Sequence, residues 1–336
     1  TIDGNVTNHG IYANAPTIFF SRFVVQNSNF GIQHTAGMLR FERGALINNN
    51  NGFYNSGGEA TLTNTTISGN DAADTNGFGS PGSAIRNVGG FVRVHYSTIT
   101  GNTGDYAVHN GNSSAHIEIG NSILAGNSVG DCYNPYRNMA STGHNLFGSS
   151  PACSGSSYFV PDPTDQLGTD PKLSPLLPVG YHPISSTSPA IGNADPDSCP
   201  AIDQRGVARP QGNACDIGAY EYTTSGTAAS FGIGYGSDQH SGPSLPFLLP
   251  FAVYVVDLSG NPVSGVNVTF TAPASGPSGT FANTGTNTTT IITNAGGLAT
   301  SPVFTANSQL GAYNVTTTVS GLTGSVSFAL VNAAWF

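Results

Sequence analysis

Side chains able to do acid–base chemistry are few and scattered in this sequence. Lys and Arg together number 9, Asp and Glu 18 and His 8 among 336 residues, and the formal net charge is −9 at pH 7. Cleavage of a glycan by paired carboxylates needs two acids that face one bond, but the acids do not recur in one column of the sequence. Within the repeat region, Asp71 and Asp74 share a loop and could form a carboxylate pair, but such a loop is typical of a solvated surface segment.

Signatures of bound metals and cofactors are equally weak. Asp195 and Asp197 resemble the start of a calcium loop, but the required glycine is missing and Gln204 replaces the closing glutamate. None of the histidines has metal-ligand spacing, so we expect no cofactor, no metal and no catalytic residue. The few basic residues argue against nucleic acid as a partner. The apolar runs are too short to span a bilayer, so we expect no direct membrane insertion.

The four cysteines are isolated and even in number, at Cys132, Cys153, Cys199 and Cys215. Without a Cys-X-X-Cys pair they predict two disulfides in an exported protein rather than a zinc site. Nearness in sequence favours the pairs Cys132–Cys153 and Cys199–Cys215, although four cysteines allow three connectivities. We therefore expect an extracellular or cell-surface location.

A repeat of mostly 20–25 residues runs through residues 1–127 and must position any site there. In each repeat an apolar residue is followed three positions later by asparagine, at Ile2–Asn5, Val24–Asn27, Ile47–Asn50, Ile67–Asn70, Ile99–Asn102 and Leu124–Asn127. Two more apolar columns keep the same period, Phe20, Phe41, Leu62, Val94 and Ile119, and Ile11, Ile32, Phe53, Ile85 and Val108. One insertion, Asp71–Gly82, explains why all three columns lengthen at the same place.

Three short apolar strands per repeat, joined by Gly and Asn turns, are the signature of a right-handed parallel β-helix. Stacked coils bury the apolar columns at about 4.8 Å per rung. Asparagine tolerates the left-handed backbone of a tight bend, and inward-facing asparagines can form a hydrogen-bonded ladder along the axis. We interpret the recurring asparagines as scaffold.

Residues 128–222 depart from this period and contain all four cysteines. The strings Asp203-Gln-Arg-Gly206, Arg209-Pro210 and Cys215-Asp-Ile-Gly-Ala-Tyr-Glu221 resemble the terminal motif of secreted bacterial β-helix proteins. These are relatives of the chlamydial polymorphic outer-membrane proteins and of the choice-of-anchor type. With the preceding rungs, the resemblance covers residues 1–222 and implies an exported β-helix without catalytic residues. The charged residues of the strings predict a charge network at the end of the helix, formed by Asp203, Arg205, Arg209, Asp216 and Glu221.

Residues 223–336 contain a short linker and then strands of alternating polarity, as in a β-sandwich. The strings DLSGNPVSGVNVTFTAP (257–273) and TNAGGLAT (293–300) resemble the invasin/intimin type of bacterial Ig-like domain. This resemblance covers residues 228–333 and implies a spacer module. The predicted fold is therefore all-β, with rungs over 1–127, a disulfide-containing terminal region over 128–222, and a linker plus Ig-like sandwich over 223–336.

The residue that follows each member of the Ile11 column should point outward. Aromatic and amide groups on such a face can stack on sugar rings and hydrogen-bond to them, although an ordinary exposed strand explains tyrosine equally well. This candidate glycan-binding face comprises Tyr12, Gln33, Tyr54, Arg86 and His109.

The two chain ends suggest self-association. Thr1 and Ile2 begin a rung with an open edge, which either a missing segment or another subunit would cover, and Trp335 and Phe336 form an apolar tail. Together they predict a head-to-tail contact that builds an open filament. We therefore expect a non-enzymatic structural or adhesive surface protein that forms a homopolymer. The alternatives are a monomeric glycan-binding adhesin on a stalk and a carbohydrate-active β-helix lyase or hydrolase.

Overall fold

The chain forms two compact units, Thr1–Tyr222 and Thr223–Phe336. The computed structural model describes residues 1–3, 9–71, 83–150, 153 and 159–334. Over these residues every regular element is a β-strand, and no helix suited to crossing a membrane occurs among them. The predicted all-β class is confirmed. Asn5, Asp74, Trp335, Phe336 and all of the Asp71–Gly82 insertion after Asp71 lie outside the described residues.

The first unit is a parallel β-solenoid. Its described strands are β1 (Ile2–Asp3), β2 (His9–Ser21), β3 (Val24–Gln26), β4 (Phe30–Glu42), β5 (Ala45–Ile47), β6 (Asn51–Asn55), β7 (Glu59–Thr63), β8 (Thr66–Ser68), β9 (Ile85–Asn87), β10 (Gly90–His95), β11 (Thr98–Thr100), β12 (Val108–Asn110), β13 (Ala115–Gly120), β14 (Ile123–Ala125), β15 (Cys132–Tyr133), β16 (Met139–Ser141), β17 (Leu146–Phe147) and β18 (Gln166–Leu167). The coiling thus continues beyond residue 127.

These strands stack as two parallel sheets. One has eight strands in the order β1-β3-β5-β8-β11-β14-β17-β18, and the other has ten, with β4 pairing with both β6 and β7. The two columns predicted to start at Ile11 and Phe20 pair in the predicted register. Their side chains meet in one buried core, so each coil buries apolar surface that it could not bury alone.

Residues with a left-handed backbone conformation form the bends between the sides of each coil. Asn and Gly adopt this conformation with little steric cost, which explains why the turns are rich in both. The first such column is Arg22, Arg43, Asn64, Tyr96, Asn121 and His144, the second is Asn27, Asn48, Gly69, Gly101 and Gly126, and the third is Gly37, Gly58 and Gly90.

The predicted asparagine ladder is wrong by one residue at two rungs. Val25 and Leu46, not Val24 and Ile47, share a register with Ile67. Asn27 therefore occupies the left-handed bend, with a φ of 52°. β3 and β5 carry adjacent apolar residues, so apolar type alone does not define their register.

Asn49 takes the ladder position that the sequence assigned to Asn50. Its Nδ2 donates to Asn70 Oδ1 at 3.1 Å, Asn70 Nδ2 donates to Asn102 Oδ1 at 2.9 Å, and Asn102 Nδ2 donates to Asn127 Oδ1 at 2.9 Å. The same oxygens accept backbone N–H groups, as Asn70 N donates to Asn102 Oδ1 at 3.1 Å. The ladder thus satisfies buried polar groups at the bend while it joins successive rungs.

Residues 170–222 contact the side of the solenoid, whereas the sequence predicted a charge network at the end of the β-helix. Ala219 N donates to Thr98 Oγ1 at 3.1 Å, and Gln204 Nε2 donates to Gly44 O at 2.9 Å. Gln204 Oε1 also accepts from Thr66 Oγ1 at 2.6 Å. This segment covers the outer face of the eight-stranded sheet, so β5, β8, β11 and β14 are almost wholly buried on both faces.

The charge network lies within this lateral segment. Arg209 Nη1 pairs with Glu221 Oε2 at 3.1 Å, and Arg205 Nε pairs with Asp203 Oδ2 at 2.8 Å. Arg209 also donates to the carbonyl oxygens of Asp216 and Gly218, at 2.7 Å each. Burial raises the pKa of Asp216 to about 6. The motif residues are thus structural, and they fix the segment against the rungs.

Both predicted disulfides are present. Cys132 follows Val108 in the inward column that starts at Ile11, and its bond to Cys153 joins neighbouring coils with a Cα–Cα distance of 4.5 Å. Cys199 and Cys215 join two parts of the lateral segment. Each disulfide therefore adds a covalent link between parts of the chain that hydrogen bonds also hold together.

The second unit consists of smaller sheets around a phenylalanine-rich core. It has a three-stranded sheet (β19-β21-β25), a five-stranded sheet (β20-β28-β27-β22-β24) and a two-stranded sheet (β23-β26) over its described residues. The strands are β19 (Ser230–Tyr235), β20 (Gln239–Ser241), β21 (Ala252–Val256), β22 (Asn267–Thr271), β23 (Gly279–Phe281), β24 (Thr288–Ile292), β25 (Leu298–Thr300), β26 (Phe304–Ala306), β27 (Gly311–Val319) and β28 (Val326–Asn332). The largest core side chains are Phe251, Phe270, Phe281, Phe304 and Phe328.

A single carboxylate orders the turn of the DLSGN string in this unit. Asp257 accepts backbone N–H bonds from Ser259 and Asn261, at 2.9 Å each, and from Gly226 at 2.7 Å. Although burial raises the pKa of Asp257, these hydrogen bonds outweigh it and hold the pKa below its ordinary value. The motif is therefore explained by turn geometry.

We predict that Asn102→Leu lowers the free energy of unfolding of the first unit by on the order of 3 kcal/mol, because it leaves polar groups of Asn70 buried without an acceptor. Calorimetry of the full chain measures this loss. Asn112→Ala is the control, since Asn112 is exposed and bonds within its own turn. Equal effects of the two variants would contradict a structural ladder.

We predict that Arg209→Met destabilises the first unit by about 3–5 kcal/mol, because Glu221 keeps a buried charge without its partner. Arg40→Met is the matched control, since the Arg40 side chain is 63% exposed beside Glu42 and its loss should cost at most about 1 kcal/mol. Urea unfolding of both variants compares them. An Arg209→Met variant as stable as the unaltered chain would show that the charge network does not hold the lateral segment.

Candidate functional site

A continuous line of outward side chains is the strongest candidate site on the solenoid. Tyr12, Gln33, Tyr54, Arg86 and His109 occupy one continuous register, one residue per coil. Tyr133 continues the line beyond His109 and was not predicted. We call these six residues the lateral stripe. With rungs about 4.8 Å apart, it presents a ladder of side chains along the axis.

Each stripe residue lies between two inward neighbours. The local pattern is an apolar residue, a variable residue and asparagine, as in Phe53-Tyr54-Asn55, Ile85-Arg86-Asn87, Val108-His109-Asn110 and Cys132-Tyr133-Asn134. Both flanking side chains are buried in all four cases. The middle residue must therefore project from the sheet. This tripeptide is the sequence signal that would have found Tyr133.

A second asparagine column lies beneath the stripe, and the sequence analysis missed it. Asn55 Nδ2 donates to Asn87 Oδ1 at 2.9 Å, and Asn110 Nδ2 donates to Asn134 Oδ1 at 3.4 Å. The buried ring of His34 continues the column, with Nδ1 2.7 Å from Asn55 Oδ1. These bonds fix the bend directly after the stripe residues, so the stripe is built on a braced backbone.

A buried carboxylate organises the middle of the stripe. Asp105 Oδ2 lies 2.6 Å from His109 Nδ1 and 3.8 Å from Arg86 Nη1, and it accepts from Ser83 Oγ at 3.2 Å. Burial raises the pKa of Asp105, but the hydrogen bonds from His109, the Tyr106 backbone and Ser83 outweigh it, and the pKa falls below its ordinary value. The ionised carboxylate orients the His109 ring and balances the charge of Arg86.

Aromatic rings flank this centre. Tyr133 stacks on Tyr106 with ring centroids 5.0 Å apart, and the His109 ring meets Tyr133 edge-on at 5.1 Å. Tyr54 contacts Phe30 edge-on at 5.4 Å. Tyr12 is 60% exposed, whereas the side chains of Arg86 and His109 are only 15% and 16% exposed. The stripe therefore combines ring surfaces with hydrogen-bonding groups, which suits an extended ligand bearing both C–H faces and hydroxyl groups.

The arrangement gives little support to catalysis or metal binding. Ser83 bonds to Asp105 rather than to His109, so the cluster does not present a serine activated by histidine. Within the described residues, no group of three or more His, Cys, Asp or Glu side chains could hold a metal ion. Asp195 accepts the backbone N–H of Asp197 at 3.0 Å, as in an ordinary turn.

The residues predicted to contact another subunit are described only at the start of the chain. Ile2 pairs with Val25 and packs against the solenoid core, while Thr1 is exposed. Trp335 and Phe336 lie outside the described residues. The head-to-tail contact therefore stays a prediction.

Similarity to known proteins adds no function to this geometry. No protein-family model matches the chain, and no curated protein matches it in sequence. The resemblances to polymorphic outer-membrane proteins and to invasin/intimin-type domains therefore stay predictions that rest on their motif strings.

We predict that Asp105→Asn lowers the melting temperature at pH 7 and that this deficit shrinks as the pH falls through 4 to 3. A folded-state pKa below the ordinary 3.8 means that the carboxylate stabilises the fold above that pH and that this contribution is lost on protonation. Melting curves of both proteins from pH 7 to pH 3 test this. Asp238→Asn, at an exposed position, is the control. A deficit independent of pH would contradict the assignment.

Proposed function

We propose that this chain is a non-enzymatic extracellular adhesive protein that binds an extended glycan along the lateral stripe. The observation that carries the proposal is the continuous register of Tyr12, Gln33, Tyr54, Arg86, His109 and Tyr133. A repeating ligand that lies along the axis would meet one side chain at every rung.

The chemistry of the stripe suits sugars. Tyrosine rings offer flat apolar surface to the C–H face of a pyranose, while Gln33 and Arg86 offer hydrogen-bonding groups to hydroxyls. The braced backbone beneath the stripe keeps the ordering cost of binding low. The two disulfides support a non-cytoplasmic location.

In this proposal the second unit serves as a spacer and the first as the ligand-binding part. Support comes from the alternation of buried and exposed residues along strands such as β27 and from the ordered DLSGN turn, which are features of the invasin/intimin-type Ig-like module that the sequence resembles. For the first unit we propose the right-handed β-helix of secreted bacterial surface proteins. Head-to-tail assembly of the chain is compatible with the proposals for both units.

We predict that a glycan array yields at least one oligosaccharide ligand, and that Tyr54→Ala and Tyr133→Ala each weaken its binding about tenfold, as expected for the loss of one stacked ring. Titration calorimetry with that ligand measures the change.

Tyr235→Ala provides the control, because Tyr235 is 43% exposed and lies in the second unit. Undiminished binding by both stripe variants would place the ligand elsewhere. The absence of any glycan ligand would overturn the proposed function.

A further inference from the structure

We infer that the stripe selects a neutral, ribbon-shaped glycan, of the kind formed by β-1,4-linked pyranoses with two-fold symmetry. This inference rests on the proposed function and adds the class of ligand. It comes from the order of side chains along the stripe, from the unbroken register that joins them and from the balance of charge at the centre of the stripe.

Rings and hydrogen-bonding chains alternate over the first five rungs of the stripe, and Tyr133 adds a further ring next to His109 on the sixth rung. Tyr12, Tyr54 and His109 carry rings on the first, third and fifth rungs of the stripe. Gln33 and Arg86, between them, carry an amide and a guanidinium. Over the first five rungs a ring thus recurs every two rungs, or about 9.6 Å.

A two-fold ribbon has the matching periodicity. Each sugar is turned by half a revolution relative to the last, so the same ring face returns at every second sugar. The disaccharide repeat of such a ribbon is close to the length of two rungs. Stacking of alternate sugars on Tyr12 and Tyr54, with the next one against the exposed 16% of the His109 side chain, would bring the intervening sugars over Gln33 and Arg86, where hydroxyl groups can be hydrogen-bonded.

The stripe also keeps one register throughout. Its residues pair directly across every rung, and the register irregularity between β2 and β4 begins only after Ala13. A glycan that coils, such as an α-1,4-linked glucan, would turn away from the line of side chains after a few sugars. A ribbon can stay in contact along the whole stripe.

Charge favours a neutral ligand. The guanidinium of Arg86 lies 3.8 Å from the carboxylate of Asp105, which also bonds to His109. The positive charge of Arg86 is therefore matched by a buried negative one. With a net charge of −9 over the chain, a polyanionic glycan would be repelled at long range.

The test compares hexasaccharides on the full chain by titration calorimetry. The probes are cellohexaose and chitohexaose as neutral ribbons, maltohexaose as a coiling chain of neutral sugars, and hexagalacturonate as a polyanion. We expect at least one ribbon to bind tenfold or more tightly than maltohexaose and hexagalacturonate. Equal or tighter binding of either of those two would overturn this inference and leave the proposed function standing. Failure of all four, together with an empty glycan array, would overturn the proposed function itself.

A swap variant tests the alternation. Gln33→Tyr combined with Tyr54→Gln keeps the composition of the stripe but moves a ring by one rung, and we expect it to lose about tenfold in affinity for the ribbon. Its melting temperature confirms that it folds. Unchanged ribbon affinity in a folded swap variant would contradict the two-rung spacing. If the variant does not fold, the hexasaccharide comparison on the unaltered chain still decides.

Discussion

The need to satisfy buried polar groups at every bend governs the first unit. A coil that turns three times per rung leaves backbone N–H groups at its corners without strand partners, and each such group would cost about 1–3 kcal/mol if left buried and unbonded. Asn70 and Asn102 meet this demand with one side chain per rung. The Oδ1 of each accepts a backbone N–H from the preceding coil. The Nδ2 of each donates to a backbone carbonyl of that preceding coil and to the side-chain Oδ1 of the asparagine in the following coil. Because the ladder works only in register, it also fixes how the apolar columns stack.

A second constraint, the burial of apolar surface, accounts for the lateral segment. The eight-stranded sheet carries apolar residues on both faces, as in Leu46-Ile47, so its outer face would be exposed without a cover. Residues 170–222 supply that cover but have no regular strands from which to make a ladder. Their backbone is held by hydrogen bonds within turns, such as Asp203 N to Val207 O at 2.8 Å, and by buried charges, above all those of Arg209 and Glu221. This explains why a region without a repeat contains the densest cluster of buried ions, and why Asp216 in it has a pKa raised to about 6.

Periodicity predicted the solenoid because apolar columns such as Ile11 to Val108 are constrained on one face only. It placed Asn50 where Asn49 belongs because β5 is buried on both faces, so that neighbouring residues are equally apolar and the register is ambiguous. The position of the lateral segment could not be predicted, since the long-range contacts that place it, such as Gln204 with Gly44, leave no periodic trace in the sequence. The stripe was predicted up to His109, but not Tyr133 or the buried Asp105, which reaches the stripe from outside its strands.

The outward positions of the stripe differ in kind from the inward ones. Inward residues are restricted to apolar side chains and asparagine by burial, whereas Tyr12, Gln33, Tyr54, Arg86 and His109 share neither size nor charge and bury no common core. Strand preference alone would favour aromatic and β-branched residues at every one of these rungs. It does not account for an amide and a guanidinium between the rings, nor for a buried carboxylate that compensates the guanidinium. Packing therefore leaves the order of these five residues unexplained, whereas the repeating ligand that we propose would account for it.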